Sequence, residues 1–170
     1  MISLVMTVMA PDQPGLVEAL AACLNRHGGN WQESRMAHLD GQFVGLLRVQ
    51  LQPEQAPPLI ASLAALEGVR VQVSEPSSQQ QPTKETVLLE ILGQDRVGIV
   101  KELSQVLSTH RVNVEELETT VENAPWSGEQ LFRAKARLQV PPEQSMEELR
   151  EKLQAIGSDL MVEVVLSRKV

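Results

Sequence analysis

The chain has 170 residues, 42% hydrophobic but only 2% aromatic, with 22 acidic against 15 basic side chains and a net charge of −7. That apolar content excludes a disordered tail and calls for aliphatic cores. The acidic balance, with no run of Lys or Arg, excludes direct duplex nucleic-acid binding, no apolar stretch approaches a membrane span, and Met1-Ile2-Ser3 lacks a basic signal-peptide start, so a reducing cytoplasm is the expected compartment.

Ile2 to Met9 is a run of Leu, Val, Met and Thr that predicts a central strand buried on both sides and ended by Pro11. Asp12-Gln13-Pro14-Gly15-Leu16-Val17 follows, with Asp12 read as a helix N-cap, Pro14 in the first helical turn and Gly15 at a close approach of strand and helix. Leu16, Leu20, Cys23, Leu24 and His27 make one helical stripe, and Gly28-Gly29 stops it, one of the two being left-handed. A strand from Asn30 to Leu39, a tight turn at Asp40-Gly41 and a strand from Phe43 to Leu51 come next. A second helix carries Leu59, Leu63 and Leu66, Gly68 ends it, and Val69, Val71 and Val73 alternate along a fourth strand.

Pro76 to Thr83 is polar, Pro-flanked and aperiodic, and reads as a linker between a domain at 1–75 and one at 84–170. The second domain repeats the first. Asp12 and Gly15 return 83 residues later in Asp95-Arg96-Val97-Gly98-Ile99-Val100, and the same offset pairs Leu20 with Leu103, Leu24 with Leu107, His27 with His110 and Asn30 with Asn113. From Pro53 onwards the offset becomes 89, because Pro53-Glu54-Gln55 matches Pro142-Glu143-Gln144 and Gly68 is taken to match Gly157. The six extra residues fall between Glu122 and Glu129 at a hairpin tip that carries Trp126. Met146, Leu149, Leu153 and Ile156 mark the last helix, and Leu160 to Leu166 the last strand.

Strand-helix-strand-strand-helix-strand, twice, predicts an α+β fold: two tandem ferredoxin-like βαββαβ sandwiches, each an antiparallel four-stranded sheet with both helices on one face. The other face needs a cover, from the sister domain or from a second chain in a homo-oligomer. Ligand chemistry is placed at the two repeated turns.

Asp-x-Pro-Gly-Leu between strand and helix, with Gly-Gly-Asn after the helix, resembles the ACT domain, a ligand-sensing module of amino-acid metabolism. Asn30-Trp31-Gln32-Glu33-Ser34-Arg35-Met36-Ala37 followed by Gly41-Gln42-Phe43 is similar to the glycine cleavage system transcriptional repressor family. The resemblance implies a non-catalytic accessory protein. It would bind a DNA-binding transcription factor that activates glycine cleavage genes, under control of a small amino acid such as glycine. The alternative it implies is an amino-acid-sensing allosteric subunit docked on a metabolic enzyme. Carried onto this sequence, the ligand residues are Asp12, Gln13, Pro14, Gly15, Leu16 and Asn30, with Asp95, Arg96, Val97, Gly98, Ile99 and Asn113. Val97 in place of Pro, Arg111 in place of a helix-ending Gly, and the bulky Trp31 set the copies apart from the pattern.

A physical case stands beside the resemblance. A helix start offers free N–H groups and about half a positive charge to a carboxylate, an Asp accepts from an ammonium group, and an Asn both donates and accepts. The bland alternative is that Asp12 and Asp95 only cap helices, Gly15 and Gly98 only permit packing, and the two Asn residues only tie down a loop. No nucleophile elbow, dinucleotide turn, P-loop or Cys/His cluster is present, so neither an enzyme, a metal site nor a cofactor is expected. Cys23 reads as a core residue, His27 and His110 as helix-end residues, and Glu115, Glu116 and Glu118 either as a solvated face or as a dock for a basic partner.

Overall fold

In the computed structural model, residues 1–74, 85–124 and 128–168 are described, without the side chain of Arg168. The chain divides into two units, Met1–Gln79 and Gln80–Val170. The predicted linker and Trp126 lie outside the described residues.

In the first unit the elements run β1 (Ile2–Pro11), α1 (Leu16–Arg26), β2 (Asn30–Leu39), β3 (Gln42–Leu51), α2 (Ala56–Ala64) and β4 (Arg70–Ser74), with a 3-10 turn at Pro53–Gln55. The second runs β5 (Glu85–Gln94), α3 (Ile99–Thr109), β6 (Asn113–Asn123), β7 (Gln130–Val140), α4 (Met146–Leu160) and β8 (Val162–Arg168). Each forms a four-stranded sheet, in the order β2-β3-β1-β4 and β6-β7-β5-β8, with antiparallel pairing throughout. Two tandem ferredoxin-like sandwiches are therefore the fold.

The cores are aliphatic, as a nearly aromatic-free chain requires. Met6, Leu20, Leu24, Leu51, Leu59 and Leu63 are sealed in the first unit, and Ile99, Leu138, Leu149, Leu153 and Leu160 in the second. Each buried side chain of this size contributes about 1.5–3 kcal/mol by leaving water. The expectation that β1 is buried on both sides is corrected: Leu4, Met6, Val8 and Ala10 are buried, whereas Thr7 and Met9 on the opposite face are exposed. Period-2 pleating sends alternate residues to opposite faces, and both helices cover only one of them.

Helix ends supply three further corrections. Gly15 and Gly98, not Asp12 and Asp95, are the N-caps; both are left-handed, with φ of 88° and 106°, and neither makes a side-chain cap bond. A Cβ on Gly15 would meet no atom within 4 Å, so the glycine is required by its positive φ and not by close packing. Pro14 accordingly precedes the helix. At the C-termini, Gly28 N–H donates to Asn25 O and Gly29 N–H to Leu24 O, while Arg111 N–H donates to Ser108 O and Val112 N–H to Leu107 O. These are matched Schellman endings, with Gly28 (φ 67°) and Arg111 (φ 56°) at the left-handed position.

The third correction concerns Gly157. It does not stop α4, which runs on to Leu160 and ends at left-handed Met161 (φ 54°). Gly157 is instead where α4 lies against β8: a Cβ there would sit 2.7 Å from Val164 Cγ2 and 2.9 Å from Val162 O. Met161 is thus the counterpart of Gly68 (φ 72°), and Leu160 belongs to the helix, not to the strand.

The hairpins follow the sequence. Asp40 and Gly41 both have positive φ, 48° and 75°, as the mirror-image turn of a two-residue hairpin requires. In the second unit six residues separate β6 from β7, against two between β2 and β3. Both outer strands carry a bulge at the same repeat position, between Trp31 and Glu33 in β2 and between Val114 and Glu116 in β6.

Candidate functional site

The repeated turns join the end of the first strand of each unit to the start of its first helix. Asp12 N–H donates to Gly41 O at 2.9 Å and Asp95 N–H to Gln130 O at 2.8 Å, so both turns are pinned to the tip of the neighbouring hairpin. The bonds are equivalent, because Gly41 and Gln130 are 89 residues apart. Asp12, Gln13, Pro14 and Gly15 are exposed, as are Arg96 and Val97, while Asp95 and Gly98 are partly exposed. Leu16 and Ile99 instead point inward, 5% and 2% exposed, and anchor their helices in the core.

The Asp12 carboxylate makes no cap bond to the helix. Its Oδ2 lies 3.6 Å from His38 Nε2, and the same nitrogen accepts from Gly41 N–H at 3.2 Å. A nitrogen that accepts from Gly41 N–H carries no proton for Asp12, so the 3.6 Å approach is a contact between half-exposed groups and not a hydrogen bond. The role of His38 was not legible in the sequence, where it stands alone on a strand. Counting β2 back from the Asp40-Gly41 turn would have found it, since a hairpin returns its last residues to the end of β1. The N–H groups at the start of α1 have no side-chain cap. At α3, Glu102 of the first turn reaches back until its Oε1 is 3.5 Å from where a Gly98 Cβ would stand; the equivalent residue in α1 is Ala19.

Asn30 and Asn113 are not brought to the turns of their own units. Asn30 pairs with Gln50, which pairs with Ser3, whereas the turn leaves β1 at Pro11 opposite Gln42. Eight residues of strand separate the two ends, roughly 26 Å. The second unit repeats this, with Asn113 opposite Gln139 beside Thr86 and the turn leaving at Gln94. A free amino acid, a few ångströms long, cannot touch both within one unit.

His27 and His110 are the C-caps of α1 and α3. His27 Nε2 lies 2.8 Å from Ser62 Oγ on α2, and His110 Nδ1 lies 3.1 Å from Gln144 Oε1 just before α4, so each ties its first helix to the segment of the second. Two of the three glutamates of the proposed acidic dock, Glu115 and Glu116, share one arginine. Arg137 donates to Glu115 at 3.0 Å and to Glu116, and Gln139 donates to Glu115 at 2.6 Å. The first unit carries the same pair, Arg48 to Glu33 at 3.0 Å, at the matching repeat positions. Cys23 is buried in the first core, and desolvation pushes its thiol pKa up against a smaller opposing pull from Arg26. An apolar cleft between α3 and β6 is lined by Val100, Leu103, Leu107, Val114, Leu117 and Ala136, with no contribution from the turn residues.

Among the described residues no group of three His, Cys, Asp or Glu is placed to hold a metal ion, and no helix is long and apolar enough to cross a membrane. Models of the ACT domain match residues 3–74 and 83–158. A crystal structure of an unknown protein from Galdieria sulphuraria is 30% identical, with 99% of each chain covered and a TM-score of 0.88. That of a candidate glycine cleavage system transcriptional repressor is 17% identical, covering 99% of this chain and 98% of its own, with a TM-score of 0.69. A comparison with curated proteins found no match.

Proposed function

This chain belongs to the ACT-domain family, twice over, and from that premise we propose that it is a non-catalytic cytoplasmic regulator. In this reading it binds a small amino acid, glycine foremost, and passes the signal by protein–protein contact to a DNA-binding activator of glycine cleavage genes. The observation that carries it is the pair of open turns, each presenting a helix start without a side-chain cap. Free N–H groups and the helix dipole favour a carboxylate there, and Asp12 or Asp95 supplies an acceptor for the ammonium group. The choice of glycine and of its target genes follows from the full-length likeness to a candidate glycine cleavage system transcriptional repressor.

Substituting Gly15 or Gly98 is a poor test, because any side chain is strained at their positive φ whatever the ligand does. Val17 and Val100 are better positions, lying in the first turn of each helix and 45% and 42% exposed. Val17→Asp and Val100→Asp place a carboxylate where the helix dipole welcomes it, so folding is kept while a ligand carboxylate is repelled. Glycine at 100 times its Kd should raise the stability of the wild type by about 2.7 kcal/mol, and the double variant should lose that shift. Asn30→Ala should keep it. Failure of every common amino acid to shift the wild type, or an undiminished shift in the double variant, defeats the ligand reading. Affinity capture with and without glycine tests the partner: a transcription regulator supports the proposal, and a metabolic enzyme replaces it with the sensor-subunit reading.

A further inference from the structure

Each sheet has one face without helices, and the two faces have diverged. On the first, the register brings Val5, Met9, Val44 and Leu46 together on the central strands β1 and β3. Met9, Val44 and Leu46 are 47%, 43% and 45% exposed. Their repeat counterparts on the second are Leu88, Leu92, Arg133 and Lys135, so an apolar pair on β3 has become a basic pair on β7. A side-by-side apolar cluster on an open sheet is a docking signature; lone exposed apolar residues are not.

The charges around these centres are opposite in balance. Among the described residues, the first face carries Arg35, Arg48 and Arg70 against Glu33 alone. The second carries five glutamates against three basic residues. Those three are each matched within the face: Arg133 with Glu122 at 3.2 Å, Lys135 with Glu90 at 3.8 Å, and Arg137 with Glu116. Glu118 and Glu163 are the surplus, and the same face carries the apolar Leu88 and Val165, 39% and 46% exposed.

From this complementarity we infer that the helix-free face of the first unit docks on the helix-free face of the second unit of another copy of this chain. Unlike faces meeting in this way close on themselves when the two copies are related by a two-fold axis, because the contact is then made twice. Four strands about 4.8 Å apart and some seven residues long present roughly 450 Å² per face. One such contact falls short of a stable interface, whereas two give roughly 900 Å² per chain, above the ~800 Å² per partner typical of specific complexes.

The test is the mass of the full chain in solution, by sedimentation velocity over a concentration series, with circular dichroism to verify folding. The wild type should be a dimer that loosens as salt rises. Leu46→Glu, or Val44→Asp as a second lesion on the same face, should weaken it at least tenfold, and so should Val165→Lys on the other face, because each puts into the contact a charge of the same sign as the facing surface. A wild-type monomer overturns the inference, and so does a dimer that Leu46→Glu leaves intact. A dimer sensitive to Leu46→Glu but not to Val165→Lys overturns it as well, since like faces would then be meeting.

Discussion

Arg111 holds the left-handed position of the α3 ending that Gly28 holds in α1, so Arg111→Gly should stabilise the second unit. The hydrogen bonds of the two endings are the same, which leaves the residue at that position as the main local difference. An L-residue in this conformation costs roughly 1–2 kcal/mol. Glycine loses more backbone freedom on folding, which returns about 0.5–1 kcal/mol of that. The net gain is on the order of 0.5–1 kcal/mol, or roughly 2–6 °C in the melting temperature of a domain of this size. The reverse change, Gly28→Ala, should destabilise the first unit by about 1 kcal/mol. It is a clean control, because a Cβ at Gly28 would meet no atom within 4 Å. Differential scanning calorimetry on the wild type and the two variants gives the measurement. If Arg111→Gly leaves the transition unmoved or lowers it, then strain at this ending is not what separates the two repeats.

Gly157→Ala should destabilise by about 1–3 kcal/mol, although alanine is the better helix former, because the added methyl meets Val164 and a backbone oxygen below 3 Å; urea titration measures it, and a stabilised variant would mean that β8 can shift away. Gly93→Ala should be worse, since the clash at 2.6 Å is with the backbone of Met161 and Val162. Cys23 should resist alkylation in the native state and react at the rate of unfolding. Its raised native pKa makes its contribution to stability whole below the ordinary thiol value of 9.0 and diminishing as pH climbs past it, because the unfolded chain then gives up the proton first. Chemical denaturation at successive pH values, with Cys23→Ala as reference, reads that slope. Arg137→Ala should lose more stability than Arg48→Ala, which should lose no more than about 1 kcal/mol, because the Arg137 side chain is 22% exposed and holds two carboxylates while that of Arg48 is 51% exposed and holds one.

The order of elements was legible because it rests on periodicity: strands alternate, helices run in stripes, and the second copy repeats the first. Element ends were less legible, since they depend on φ and not on residue type alone. Asp12 has the chemistry of an N-cap, yet the turn places left-handed Gly15 at the cap and leaves Asp12 to His38. Gly157 has the chemistry of a stop, yet it serves a helix-to-strand contact, and the stop falls on Met161. Of the candidate site, the sequence made legible the repeat of the turn but not the distances within each unit. The turns stood out by repetition, but grouping them with Asn30 and Asn113 overlooked that the strands carry those residues to the far end of the sheet.

The matched bulges in β2 and β6 bear on how such a chain keeps its sheet edges from pairing with other strands. Both are outermost strands, ten and eleven residues long, with one row of peptide groups left over for any passing chain to pair with. The extra residue, Gln32 or Glu115, breaks that row near its start and throws the remainder out of step, so a straight segment cannot zip along it. A gene that doubles a sheet also doubles its sticky borders, and here the longer border of each sheet carries the same interruption.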